Sequence, residues 1–193
     1  MCKWILILMY KVVDNFFPQK ERDQLVADVT NEQFAWHKYK GSFSGSDDDP
    51  RYREEISQCV FTHPIYHRLV QRDPQFCNVY LLPLMEALDS RACVESTFSF
   101  YARGPYEFTG GPHCDLEINK NALTALYYLE DNNGGTIIYE NGEEIFIHHK
   151  DNRMVFMTGD TQHSAVIQTD APARRVWRTI CFVTDKSWIK LFS

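Results

Sequence analysis

The sequence predicts an α+β chain that is mainly β: a small antiparallel β-sandwich or barrel preceded by helices. Three observations lead there. From Cys93 onward, short apolar runs rich in β-branched and aromatic residues recur about every ten residues. Turn signals separate them, among them Asn133-Gly134-Gly135, Asn141-Gly142, Asp151-Asn152 and Gly159-Asp160. Before about residue 90 the apolar residues return at helical spacing instead. A length of 193 residues, 44% of them hydrophobic and 24% charged, suits a single domain over 1–193 with a sizeable core.

Taken in order, the chain opens on a short apolar run from Trp4 to Tyr10. It is too short to cross a bilayer and lacks a small-residue cleavage site before polar sequence begins. Met9 starts a natural-looking N-terminus, so residues 1–8 read as an upstream extension. Gln19–Val29 is a charged helix with Leu25, Val26 and Val29 apolar, and Asn78–Leu88 carries Val79, Leu82, Met85 and Leu88 at helical spacing. Between them Gly41–Pro50 (GSFSGSDDDP) has the chemistry of a loop. Gly41–Glu55 is a candidate substrate lid, with a solvated surface loop as the plain alternative. The expected strands are Val94–Tyr101, Leu123–Leu129, Thr136–Tyr139, Ile145–Ile147, Met154–Met157, Ser164–Ile167 and Val176–Val183. Residues 1–91 thus form a helical and substrate-loop preface, and 92–184 a β core.

Charge and cysteines narrow the classes further. Lys+Arg number 20 against 26 Asp+Glu, a formal charge of −6, which argues against nucleic-acid partners that need clustered cations. None of the six cysteines has C-x-x-C spacing, so reduced thiols in a cytoplasmic protein without a membrane segment are expected.

The chemistry points to a metal. In extended backbone, residues i and i+2 share a face, so His113 and Asp115 can grip one ion while Cys114 points away. His163, at the start of a strand, is the third candidate ligand. Two imidazoles and a carboxylate on one face of an octahedron leave three positions open, the arrangement of non-haem Fe(II) oxygenases. The other histidines fit less well. His63 and His67 have Pro64 between them and no adjacent Glu of the zinc-protease kind; His148 and His149 face opposite sides of a strand; His37 is isolated. Twelve residues after His163, Arg175 opens the run Arg175–Val183. A buried guanidinium there needs an anionic partner, which a dicarboxylate would supply.

This order of landmarks resembles the 2-oxoglutarate/Fe(II)-dependent dioxygenase superfamily, nearest to its prolyl-4-hydroxylase-like branch, over residues 92–184. Tyr101 precedes the H-x-D as a pocket tyrosine does in that branch. Thr124–Glu130, Asn133–Thr136 and Asn152–Phe156 resemble its next core strand, its glycine turn and the strand before the distal histidine, and Tyr10–Phe17 its first strand. The resemblance implies a double-stranded β-helix (jelly-roll) core. It also implies Fe(II) on His113, Asp115 and His163, with 2-oxoglutarate as cosubstrate and O2 and ascorbate as accessories. Arg175, Tyr128 and Tyr101 would bind the cosubstrate.

Arg174 and Arg178 compete with Arg175 for the anchor, and strand parity puts both on the face opposite it. Alignment of Trp177–Phe182 with the branch's final strand favours Arg175. Trp177 stands where the branch often has a hydroxyl residue. Retention of Asp115 favours hydroxylation over halogenation, and a peptide, protein or small molecule is the expected substrate. Two other classes stay open: a metal-binding β-sandwich enzyme that does not use 2-oxoglutarate, and a non-catalytic relative serving as an interaction module.

Overall fold

A computed structural model describes residues 10–38, 59–103, 108–116 and 122–183. Residues 1–8 and the Gly41–Glu55 segment lie outside these. Twelve strands and three helices occur among the described residues. β1 (Tyr10–Asp14) leads into α1 (Gln19–Thr30), β2 (His37–Lys38), β3 (Val60–His67) and β4 (Val70–Gln71). A helical run follows: α2 (Pro74–Phe76), a π-helical turn over Cys77–Leu81, and α3 (Leu82–Ala87). Then come β5 (Ser90–Ala102), β6 (Phe108–Thr109), β7 (Ala122–Tyr128), β8 (Gly135–Glu140), β9 (Glu143–His148), β10 (Arg153–Thr158), β11 (His163–Ile167) and β12 (Ala173–Val183).

The strands form two antiparallel sheets. The larger runs β1-β10-β7-β12-β5-β3-β2, with β4 paired to β3; the smaller runs β6-β11-β8-β9. This is the predicted jelly-roll type of sandwich, with one departure: the preface is not purely helical. His63 and His67 lie on β3, which pairs with β5 in the large sheet. Pro64 interrupts the ladder there, and the register shifts between Pro64 and Tyr66.

Alternation along the strands builds two cores. On the outer face of the large sheet, Phe98, Tyr127, Phe156 and Trp177 pack against Leu25, Val29, Phe76, Leu81 and Leu84 of the helices. On its inner face Leu126, Tyr128, Val155, Met157 and Val176 meet Ile138 and Ile147 of the small sheet. β7 is covered on both sides and buried along its whole length. The Trp177 indole satisfies its N–H on Ser96 Oγ at 2.8 Å, which lets so large a ring lie fully buried. Asp73 caps α2 by accepting from the backbone N–H groups of Gln75 and Phe76, and it also meets His63 Nε2 at 3.0 Å. His63 is thus a satisfied core histidine. No disulfide joins the five described cysteines. No described helix is long and apolar enough to cross a membrane.

Candidate metal centre and its cavity

The inner face of the large sheet is a grid whose rows follow from register. Val60, Tyr101 and Arg174 are lateral neighbours on β3, β5 and β12; so are Thr62, Ser99 and Val176, and then Pro64, Thr97 and Arg178. All nine line one cavity of about 450 Å³, a size typical of small-ligand sites. His113, His163, Thr136 and Ala165 close it from the opposite side.

His113, Asp115 and His163 converge at this cavity, each offering a ligand atom within 4.8 Å of the others. Their approach is pinned by the backbone. His113 N donates to His163 O at 3.0 Å and His163 N donates to His113 O at 2.9 Å, an isolated antiparallel bridge. Each imidazole then turns its Nδ1 to a carbonyl two residues upstream: His113 to Gly111 O at 3.1 Å, His163 to Thr161 O at 3.0 Å. A carbonyl only accepts, so both Nδ1 atoms carry the proton, and both Nε2 atoms present a lone pair. Burial opposes a charge on His163 and lowers its pKa, keeping the ring neutral as a ligand must be.

Asp115 is nearly sealed, its side chain 2% exposed. Burial alone would raise its pKa. Arg178, His163 and a hydrogen bond from Thr124 outweigh burial and hold its carboxyl below the usual range. The two oxygens are used differently. Oδ2 lies 3.6 Å from His163 Nε2 and accepts from Thr124 Oγ1 at 2.9 Å; Oδ1 accepts from Arg178 Nη1 at 2.8 Å. Two neutral nitrogens and one ionised oxygen form a donor set suited to a divalent first-row metal such as Fe(II). Cys114 turns its thiol to Asp160 O at 3.4 Å, away from the cluster, as the i, i+2 reading expects.

The arginines are distributed otherwise than the strand alignment favours, with Arg175 away from the cavity. Its guanidinium lies on the outer face, over the Phe100 ring at 5.2 Å and 3.3 Å from Glu130 Oε2, and it does not line the cavity. Arg174 does. It is 2% exposed, donates one bond from Nη2 to Gly135 O at 3.0 Å, and stands over the Tyr101 ring at 4.9 Å. Its Nε and Nη1 are buried without a protein partner. The signal was present in the parity of β12: Arg175 shares its face with Trp177 and Cys181, which pack under the helices, whereas Arg174 shares its face with Val176 and Arg178.

Tyr101 lines the cavity as expected, but Tyr128 stands one side chain behind it. Its hydroxyl donates to Thr136 Oγ1 at 2.6 Å and its ring stacks on His149 at 4.3 Å, so Thr136 presents the polar group that Tyr128 was expected to offer. Burial raises the Tyr128 pKa and keeps it a neutral donor. Thr124, Thr136 and Glu95 were not singled out from the sequence. Nothing local marks them, since only the pairing of distant strands brings them to the site.

No protein-family model matches the chain, and no curated protein matches it in sequence. Solved structures do match in fold. A Pseudomonas putida prolyl-4-hydroxylase superposes with a TM-score of 0.62 at 12% identity, over 92% of this chain and 94% of that one. A Trichoplax adhaerens prolyl hydroxylase, solved with a hypoxia inducible factor oxygen degradation domain peptide fragment, gives 0.64 at 13% identity, over 96% and 87%. HygX from Streptomyces hygroscopicus, solved with nickel, 2-oxoglutarate and hygromycin B, gives 0.57 at 9% identity, over 91% and 83%. The chain therefore has the fold of the 2-oxoglutarate/Fe(II) oxygenases, prolyl-4-hydroxylases among them.

Proposed function

We propose that this chain is an Fe(II)- and 2-oxoglutarate-dependent dioxygenase, one catalytic domain that hydroxylates a C–H bond of a peptide, protein or small molecule. One observation carries the reading. Three convergent side chains that could ligate a metal sit at one cavity, which His113 and His163 line directly, and the same cavity holds a buried arginine with two unpartnered nitrogens. Such a cation is retained in a core when an anion completes it. A dicarboxylate that chelates a metal at one end and meets Arg174 at the other uses both features. That the fold neighbours include a protein solved with nickel and 2-oxoglutarate supports the same assignment.

His113 and His163 would hold the ion through Nε2, and Asp115 through Oδ2, the oxygen facing His163. The bound iron would supply oxidation by O2, with 2-oxoglutarate as the two-electron reductant; one oxygen atom ends in succinate and the other in the hydroxylated product, with release of CO2. The chain's own groups bind and orient. Arg174 takes the distal carboxylate through Nε and Nη1, and Tyr101 supports its guanidinium from below. The Thr136 hydroxyl, fixed by Tyr128, lines the same part of the cavity. Val60, Leu126 and Val176 supply apolar walls that exclude bulk water. Fold neighbours solved with a peptide and with hygromycin B support both broad kinds of substrate.

The test is succinate formation from 2-oxoglutarate with Fe(II) and ascorbate under air, followed by anaerobic addition of 2-oxoglutarate to the Fe(II) protein. Wild type should show slow uncoupled turnover and a visible metal-to-ligand charge-transfer band, both abolished in His113→Ala. A wild-type protein that binds Fe(II) without developing the band on adding 2-oxoglutarate would overturn the assignment.

A further inference from the structure

Arg178 lies in the cavity but does too much to be a spare cosubstrate anchor. Its planar fork is spent on two different carboxylates: Nη1 donates to Asp115 Oδ1 at 2.8 Å and Nη2 to Glu95 Oε1 at 2.6 Å. Glu95 is braced in turn. Thr97 Oγ1 donates to the same Oε1 at 3.3 Å, and Oε2 lies 3.6 Å from His67 Nδ1. A row of alternating charge thus runs from the Asp115 carboxylate through Arg178 to Glu95 along the cavity wall, with His67 of β3 beside Glu95. The rigid guanidinium fork reaches both carboxylates at once, whereas an ammonium is a single point of charge suited to holding one.

Coordination arithmetic shows what the contact controls. Three single-atom protein ligands on a six-coordinate ion leave three positions, enough for a two-atom chelate and O2. A carboxylate can also bind a divalent cation through both oxygens. Were Asp115 to do so, only two positions would remain, and the chelate would compete with O2 for them. Asp115 Oδ2 faces His163, whereas Oδ1 is held off by Arg178. Glu95 offsets the guanidinium charge, so the contact need not repel the ion.

We infer that Arg178, braced by Glu95, is a positioning residue that restricts Asp115 to one-oxygen ligation and so keeps two coordination positions available to a chelating cosubstrate. This rests on the proposed metal and 2-oxoglutarate chemistry and adds a device to it. Supporting residues around metal ligands commonly matter by about 10- to 100-fold. Here the loss should fall on the chelate rather than on the ion.

The test is calorimetric titration of the full chain, first with Co(II) alone and then with 2-oxoglutarate after Co(II) loading. Arg178→Met should bind Co(II) within about threefold of wild type while its 2-oxoglutarate affinity falls about tenfold or more. Arg178→Lys, which can still hold Oδ1, should recover most of that affinity. Glu95→Gln should weaken 2-oxoglutarate about threefold or more with Co(II) binding unchanged, and it carries the test with Arg178→Lys if Arg178→Met fails to fold. Unchanged 2-oxoglutarate affinity in Arg178→Met and Glu95→Gln overturns the inference. So does a parallel loss of Co(II) and 2-oxoglutarate that lysine does not repair, the result of a merely structural ion pair. A Co(II)-loaded wild type that takes up no 2-oxoglutarate overturns the functional proposal and this inference with it. Wild-type binding matched by both variants overturns the inference alone.

Discussion

Replacing Arg174 by Met should separate binding from folding, because the arginine is poorly satisfied by the protein itself. It donates one hydrogen bond, to Gly135 O, and lies over Tyr101, while Nε and Nη1 are buried without partners. The charge-assisted bond contributes about 1.5–3 kcal/mol and the ring contact roughly 0.5–2 kcal/mol. Against them, each of the two buried unpartnered nitrogens costs about 1–3 kcal/mol. These terms nearly cancel, and methionine refills much of the volume with an adaptable apolar chain. Chemical denaturation without added ligand should therefore find Arg174→Met within about 1 kcal/mol of wild type. Binding should respond very differently. Two charge-assisted hydrogen bonds to a carboxylate contribute about 1.5–3 kcal/mol each, so calorimetry on the metal-loaded protein should show 2-oxoglutarate affinity down by about 100-fold or more. Arg175→Met is the control with the opposite profile. It leaves the partly buried Glu130 without its cation, which should lower stability by about 1 kcal/mol and leave 2-oxoglutarate affinity within about twofold. If Arg174→Met proves strongly destabilised yet binds the cosubstrate normally, or if Arg175→Met is the variant that loses it, the reasoning fails.

Two further outcomes concern the frame around the site. Asp14 on β1 meets Arg153 at 2.6 Å and Lys150 at 2.8 Å, and the Arg153 hydrogen bond leads in lowering its pKa from the ordinary 3.8 to about 2. Because the folded value lies below the unfolded one, its contribution is fully present above about pH 4 and is lost as pH falls toward 2. Solvent screening of this partly exposed group reduces it to about 1 kcal/mol, so Asp14→Asn should be that much less stable than wild type at pH 6, with the gap mostly closed near pH 2 and gone below it in urea titrations. At Gly135 an added Cβ would stand 2.3 Å from Ile147 O and 2.8 Å from the Phe146 ring. Gly135→Ala should lower stability by about 2 kcal/mol or more, seen as a reduced Tm; an unchanged Tm would mean that β8 and β9 part more easily than their packing indicates.

That His113 and Asp115 share a face was legible in the sequence, because i, i+2 geometry in extended backbone is local and needs no knowledge of the fold. Most strands from residue 94 on were legible too, since Asn-Gly and Asp-Asn turns mark their ends. Elsewhere, tertiary pairing decided. Val60–His67 escaped notice because Pro64 and two histidines mask its alternation; β5 supplies the ladder that makes it a strand. Arg175 drew attention through its neighbours in sequence, but orientation on a strand follows parity, and the buried Trp177 ties that parity to the helices. Thr124 and Glu95 could not be read as site residues, because each reaches Asp115 or Arg178 only after β7, β5 and β12 have paired.

The same dependence gives the centre a mechanical role. His163 belongs to the small sheet, while Thr124 and Arg178, which grip Asp115, belong to the large one. An ion held by His113, Asp115 and His163 would therefore act as a clasp across the mouth of the sandwich. Its binding energy would be shared with the fold as RT ln(1 + [metal]/Kd), about 2.7 kcal/mol at 100 times Kd. Iron supply and resistance to unfolding would then rise and fall together, so that a chelator loosens the seam between the sheets as it silences the chemistry.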